Sequence, residues 1–216
     1  MRNVMIYAKF LKRVLDFLLS TIALVVLSPI IVLLILIGAV AVKGNPFFIQ
    51  DRPGRNEKIF KLIKFRTMTN EKDGNGEFLP DDVRLISYGR FLRKTSLDEL
   101  PELINIWKGD MAIVGPRPLL TRYLPFYTEA EMKRHTVRPG LTGLAQISGR
   151  NALAWDSRLV LDVKYAESIS FLGDLRIILM TIVKVVKCKN VVDAGSFEML
   201  DLDQERKSKV ASNKVE

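Results

Sequence analysis

The chain is poor in the side chains on which many transfer and hydrolytic enzymes rely. Its 216 residues include one cysteine, Cys188, and one histidine, His135. A lone cysteine allows neither a disulfide framework nor a cysteine-ligated zinc site. A lone histidine leaves Ser-His-Asp catalysis and histidine-ligated transition-metal sites without their parts. Chemistry must therefore run on carboxylates, on lysines, or on a hard cation held by oxygen. Acidic residues are also in deficit, with 24 Asp+Glu against 33 Lys+Arg and a net charge of +9. Such a surface suits nucleic acid, anionic lipid or phosphorylated substrates, and charge alone does not choose among them. Nucleic acid is set aside, because no tight patch of interleaved basic and aromatic residues is evident.

What the chain has in abundance is an uncharged run over 17–42, preceded by Lys12, Arg13 and Asp16 and followed by Lys43. About 20 apolar residues span a bilayer core, so this is a membrane segment. It is too long for a signal-peptide core, and no small-residue cleavage motif follows it. Ser28-Pro29 interrupts its middle. Proline removes one backbone donor and crowds the preceding turn, so a helix kinks or stops there, and Ser28 can bond a freed carbonyl locally. Each half is then ~18 Å of helix, too short to cross alone. Basic residues flank both ends, with Lys9, Lys12 and Arg13 before and Lys43, Arg52, Arg55 and Lys58 after. The positive-inside tendency holds both flanks in the cytoplasm. These features favour a re-entrant helix-break-helix hairpin, with a kinked spanning helix as the alternative.

The remainder reads as α+β, with short strands and amphipathic interfacial helices. Strands are expected at 47–50 and 58–67, joined by a turn at Asp51-Arg52-Pro53-Gly54, with helices at 81–92, 97–107, 128–135, 156–168 and 172–187. The last helix fits either a membrane interface or a buried core. The expected division is 1–44 for the N-terminal helix and membrane hairpin, 45–198 for a cytoplasmic catalytic domain, and 199–216 for a charged, disordered tail.

Asp98 and Glu99 form the most interesting carboxylate pair. Ser96 to Glu99 fits a capping box, which would make the acids structural. Equally, adjacent carboxylates near Arg90, Arg93 and Lys94 suit magnesium and a diphosphate. Pro116-Arg117-Pro118 fixes the backbone on both sides of one arginine. The glycine-rich stretch holding Gly143, Gln146 and Arg150 could wrap a nucleotide or phosphate, and it is no Walker or Rossmann fingerprint. His135 reads as a surface or helix-end residue, and Asp162 as helix surface.

Taken in order, several of these segments closely resemble the bacterial sugar transferase family, the polyprenyl-phosphate phosphoglycosyl transferases, nearest to its small monotopic PglC-type members. The resemblance rests on Lys12-Arg13-Val14-Leu15-Asp16, Ser28-Pro29, Gln50-Asp51-Arg52-Pro53-Gly54, Lys64-Phe65-Arg66-Thr67-Met68, Ser96-Leu97-Asp98-Glu99-Leu100-Pro101, Gly109-Asp110-Met111, Val114-Gly115-Pro116-Arg117-Pro118 and Arg138-Pro139-Gly140-Leu141-Thr142-Gly143. It implies magnesium dependence and an Asp98-Glu99 dyad that both reacts and meets the metal. In that scheme Asp98 attacks the β-phosphorus of a UDP-sugar, releases UMP and passes the phosphosugar to polyprenyl (undecaprenyl) phosphate. Lys64, Arg93, Arg117, Gln146 and Arg150 are its candidates for holding phosphate or nucleotide. It also implies a bacterial inner-membrane location with the active site at the cytoplasmic membrane face, membrane lipids as partners and no nucleic acid. The sugar, the pathway and any homo-oligomer stay open. A membrane-anchored basic scaffold or lipid-binding module without catalysis is the rival reading.

Overall fold

The structure is a computed structural model and describes residues 6–149, 153–186 and 200–212. A π-helical turn, Tyr7–Leu11, runs into helix α1, Lys12–Ala41. Pro29 lies inside α1 and does not interrupt it. Its missing N–H would have bonded the Val25 carbonyl one turn back. Ser28 Oγ donates to that oxygen instead, at 2.8 Å. With the orphaned acceptor satisfied, the helix carries on. The break expected at Ser28-Pro29 is thus corrected to one continuous helix.

The buried positions of α1 are Lys12, Asp16, Ser20, Leu34 and Gly38. At 3.6 residues per turn they share one stripe with half-buried Ala23, Leu27 and Ile31. That stripe meets the rest of the protein from end to end. Near its start, Asp16 Oδ1 accepts from the Ile113 amide at 3.1 Å. In the middle, Ala23, Leu24 and Leu27 pack on Phe60, Leu62, Leu103 and Ile106. Further on, Leu34 joins Phe65 and Leu92, and the Tyr88 hydroxyl donates to the Leu34 carbonyl at 2.8 Å. A Cβ on Gly38 would stand 2.9 Å from that hydroxyl, so glycine permits the approach. The membrane segment and catalytic body therefore share cores. On the opposite face Val25, Val26 and Val40 are 69%, 66% and 78% exposed, so none of the described residues covers it.

Strands β1, Phe47–Pro53, and β2, Ile59–Phe65, pair antiparallel, with Phe48 opposite Lys64 and Arg52 opposite Phe60. The first strand outruns its expected end at Gln50 and includes Asp51-Arg52-Pro53. The turn begins only at Gly54, whose amide donates to the Lys58 carbonyl at 2.9 Å. Proline is tolerated because it closes a strand at the sheet edge. The helix expected at 81–92 is two, α2 (Asp81–Arg84) and α3 (Ser87–Thr95). The one expected at 97–107 is a 3-10 turn, Leu97–Glu99, followed by α4, Glu102–Lys108.

Helix α4 is pinned at two points. Asn105, 1% exposed, donates to the Lys61 carbonyl at 2.8 Å and accepts from the Ile63 amide at 3.1 Å. Its amide thereby occupies the open edge of β2, where unpaired backbone groups would otherwise be buried. At the C-terminus, the Arg13 guanidinium donates to the Ile106 and Trp107 carbonyls at 2.7 and 2.9 Å. These are acceptors that a helix end leaves unsatisfied.

Strands β3, Ala112–Val114, and β4, Gly140–Thr142, pair in parallel. A Cβ on Gly140 would lie 2.1 Å from the Gly115 nitrogen, so this close crossing requires glycine. Around it lie α5 (Glu129–Met132), α6 (Leu144–Ser148), α7 (Trp155–Glu167), α8 (Phe171–Val186) and α9 (Leu202–Ser212). Asp174 of α8 accepts from Tyr7, Lys12 and Tyr165, at 2.7, 2.7 and 2.8 Å, tying three helical segments together. The other face of α8, with Leu172, Leu175, Leu179 and Ile182, is exposed, so α8 is not a core helix. Nor is the C-terminal segment wholly an unstructured tail. Leu202 is fully buried against Tyr123, Trp155 and Leu159, and Arg206 bridges Glu131 and Asp156. One leucine and a few ion pairs leave little trace in a polar sequence.

Two polar residues are more buried than their sequence suggests. Asp162 is paired with Arg134 at 2.7 Å, both side chains at most 5% exposed. His135 is likewise buried, and its Nε2 has no hydrogen-bond partner. Burial, reinforced by Arg134, pushes the His135 pKa down to about 4 from an ordinary 6.5. The unfolded chain then binds a proton between pH 6.5 and 4 that the folded chain refuses. The stability linked to His135 is complete above pH 6.5 and lost as pH falls toward 4. His135→Gln should therefore gain about 2 kcal/mol relative to wild type between pH 7.5 and pH 5, read from paired unfolding curves in detergent. Asp162→Asn, which strands the Arg134 charge, should cost about 3–5 kcal/mol at neutral pH in the same measurement.

Candidate active site

Asp98 and Glu99 occupy the 3-10 turn between α3 and α4. Ser96 sets this turn by adopting a left-handed φ of 58°, which ends α3 and turns the chain. Its side chain makes no capping bond. The Glu99 carboxylate points elsewhere, with Oε1 accepting from Lys64 Nζ at 2.9 Å and Arg117 Nη2 at 3.0 Å. A capping box would pair Ser96 Oγ with the Glu99 amide and the Glu99 carboxylate with the Ser96 amide, but those amides donate to the Ser96 and Arg93 carbonyls, so that reading is excluded.

Lys64 has a second carboxylate, Glu102 Oε1, at 3.0 Å. Its ammonium is thus shared between two acids, in a position fixed by β2 and by the Asn105 clamp. Burial would lower the Lys64 pKa, but the two glutamates outweigh it and raise it. Burial alone would raise Glu99 too, yet Lys64 and Arg117 hold it down at about 2. Glu102, 3% exposed, goes the other way, pushed up to about 7 by burial and by Glu99 against the pull of Lys64. Asp98 is raised as well, by burial and then by Glu99, with Lys64, Arg117 and Arg93 opposing. Among the described residues Asp98 is in no salt bridge. One acid is firmly ionised and clamped while its neighbour is more basic and unclamped, a division that suits positioning for the first and reaction for the second.

Arg117 is held through its backbone. Pro116 and Pro118 flank it, and its carbonyl accepts from Arg134 Nη2 at 2.7 Å. The buried Arg134–Asp162 pair is therefore the support behind the site's arginine. On the other side Arg93 Nε donates to Thr67 Oγ1 at 3.1 Å. Gln146 donates to the Leu141 carbonyl at 2.9 Å, while its Oε1 is buried without a partner.

Lys64, Arg93, Asp98, Glu99, Arg117 and Gln146 all line one cavity of about 1450 Å³. Six sequence-derived candidates thus converge. Arg150 lies outside the described residues. The sequence reading missed Glu102, which it absorbed into a helix although it stands one turn from Glu99. It also left Arg52 in a turn. The alternation of Phe48, Gln50 and Arg52 along β1, all three on the cavity wall, could have found it. No group of three or more potential metal ligands occurs among the described residues. Asp98 and Glu99 supply two carboxylates at the cavity, and Glu99 Oε1 is already engaged. That number suits a hard cation that keeps its waters and takes further oxygens from phosphate.

One helical stretch, Tyr7–Ala41, is long and apolar enough to cross a membrane. Comparison with known proteins identifies the family. The chain is similar to the uncharacterized sugar transferase EpsL of Bacillus subtilis, 48% identical over 181 residues, covering 84% of this chain and 90% of EpsL. It is 40% identical to the exopolysaccharide production protein ExoY of Sinorhizobium fredii, over 79% of this chain and 83% of that one. It is also 36% identical to the undecaprenyl-phosphate galactose phosphotransferase of Salmonella typhimurium, over 81% of this chain but only 40% of the longer relative. The description "Bacterial sugar transferase" matches residues 7–188, which include α1, the dyad and every cavity residue named above, and the chain belongs to that family.

Proposed function

We propose that this enzyme transfers a sugar-1-phosphate from a UDP-sugar to polyprenyl phosphate, through a covalent intermediate on Asp98, at the cytoplasmic face of a bacterial membrane. The observation that carries the reading is the asymmetry of the dyad. Glu99 Oε1 is held by both Lys64 and Arg117, whereas Asp98 opens on the cavity with a raised pKa and no ion-pair partner among the described residues.

Two substrates carrying phosphate repel each other and repel a carboxylate nucleophile, so fixed cations must offset that charge before reaction. Lys64, Arg93 and Arg117 are such cations, each tied to the protein frame. In the first half-reaction an Asp98 carboxylate oxygen forms a bond to the donor's β-phosphorus. The bond from that phosphorus to the bridging oxygen breaks, and UMP leaves with the electron pair. The resulting acyl phosphate is itself reactive. In the second, a polyprenyl phosphate oxygen takes the phosphosugar and frees the Asp98 carboxylate. No histidine is needed, since the acceptor phosphate is already ionised near neutral pH. Asp98 and Glu99 Oε2 would hold magnesium, whose contribution is to offset charge on the pyrophosphate.

The membrane geometry supports the same reading. A spanning α1 would draw the whole body into the bilayer, because one stripe of the helix packs on that body from Asp16 to Gly38. We therefore take α1 as a monotopic anchor that dips into one leaflet as one continuous helix, with its uncovered face in lipid and both ends on the same side. The exposed face of α8 rests at the headgroups. Relatives named for undecaprenyl-phosphate galactose phosphotransfer and for UDP-N-acetylgalactosamine phosphotransfer to undecaprenyl phosphate are the basis for the acceptor and the UDP-linked donor.

Wild-type protein mixed with UDP-sugars, magnesium and no acceptor should gain the mass of one phosphosugar and release an equivalent of UMP. Asp98→Asn should form no adduct and lose at least ~10³-fold in turnover. An Asp98→Asn enzyme with full activity would exclude Asp98 as nucleophile. A wild-type protein inert toward every donor would favour the lipid-binding scaffold.

A further inference from the structure

Arg52 is a half-buried cation that the reaction scheme has not used. It lies on β1, and its Nη2 donates to Gln50 Oε1 at 2.5 Å while Nη1 donates to the Pro118 carbonyl at 3.2 Å. Both partners are neutral. The Nε is buried and has no partner. No carboxylate forms a salt bridge with Arg52 among the described residues. Burial, and then the Arg117 charge, lower its pKa to about 10 against smaller opposing pulls led by Glu102, which still leaves it charged at neutral pH.

Two guanidinium groups are therefore anchored at one corner of the cavity, Arg117 within the Pro-Arg-Pro segment and Arg52 on the carbonyl of the next residue. Only Arg117 has an acidic partner, Glu99. Placing a desolvated charge beside a like charge costs free energy unless an anion completes the set. A purely structural staple between β1 and Pro118 would need hydrogen bonds but no charge. The excess of positive charge is a feature of a ligand site.

Of the two anionic substrates in the scheme above, the donor fits this corner better. Arg52 has polar surroundings, with the Gln50 side chain and the Pro118 carbonyl as its partners. The aliphatic wall that a polyprenyl chain requires is supplied by Leu27 of α1 and by Ile178 and Ile182 of α8. Resting on the donor assignment made above, we propose that Arg52 is a substrate-binding residue for the nucleotide half of the donor, holding the phosphate that departs as the nucleoside monophosphate. Arg117 then serves the phosphate that stays on Asp98.

UMP binding and the two half-reactions test this separately. Arg52→Gln, which keeps a polar fork but no charge, should weaken UMP binding by isothermal titration roughly 10- to 100-fold. Arg52→Lys, which keeps the charge but loses the fork, should weaken it less. Adduct formation from a UDP-sugar should show a raised donor KM in both variants. Transfer from preformed adduct to polyprenyl phosphate should proceed at the wild-type rate, which a merely misfolded site would not do. Unchanged UMP affinity in Arg52→Gln at an unchanged melting temperature overturns the inference, and so does a defect confined to the second half-reaction. If Arg52→Gln does not fold, unchanged UMP affinity in Arg52→Lys overturns it equally. A loss of UMP affinity in a protein that forms no adduct on Asp98 would support Arg52 as a nucleotide ligand while refuting the covalent scheme.

Discussion

Helix α1 has to satisfy two solvents at once. One stripe, running from Lys12 through Asp16 and Ser20 to Leu34 and Gly38, is committed to the body. The remaining circumference presents valines, leucines and isoleucines that none of the described residues covers. An uncovered face of that size is unfavourable in water at ~25 cal/mol per Å², and it is at home in hydrocarbon. Because the committed stripe extends over the full length, α1 and the carboxylates are fixed relative to each other. Ala23 and Leu27 of the same helix line the cavity that holds Asp98. Under the function proposed above, a lipid-borne phosphate meets the dyad without leaving the surface it travels on.

Within that frame the electrostatics are arranged before any substrate arrives. Lys64 is shared by Glu99 and Glu102, and Arg117 adds a second cation to Glu99. Asn105 holds the strand that carries Lys64, and the Arg134–Asp162 pair holds the backbone that carries Arg117. Buried ion pairs of this kind are weak sources of net stability. Their value here lies in fixed positions for charge, so that little reorganisation remains when a diphosphate binds.

Much of this was legible in the sequence, for identifiable reasons. The apolar run, the acidic pair and the Pro-Arg-Pro corner are local signals, and the cavity unites six residues drawn from segments far apart in the chain. What stayed hidden depends on neighbours that sequence order does not reveal. Ser28-Pro29 has every local mark of a break, yet the Val25 carbonyl finds its donor in Ser28 and the helix continues. Ser96 and Glu99 match a capping box by spacing, but Lys64 and Arg117, from distant segments, claim the glutamate. Asp162 and His135 look like surface residues, and the three-dimensional context buries both. The helix over Leu202–Ser212 rests on Leu202 and scattered charge pairs, which carry no periodic pattern.

The most direct test of the central claim, that the anchor keeps both of its ends on the same side of the membrane as the carboxylates, is cysteine accessibility. With Cys188 replaced by serine, the chain has no other cysteine. Single cysteines can then be placed at Lys9 and at Lys58, both exposed and on either side of α1. The account predicts that a membrane-impermeant maleimide labels both positions in inverted vesicles and neither in intact spheroplasts. Labelling of one position from each side would mean that α1 crosses the bilayer, and the placement of the site described above would be contradicted.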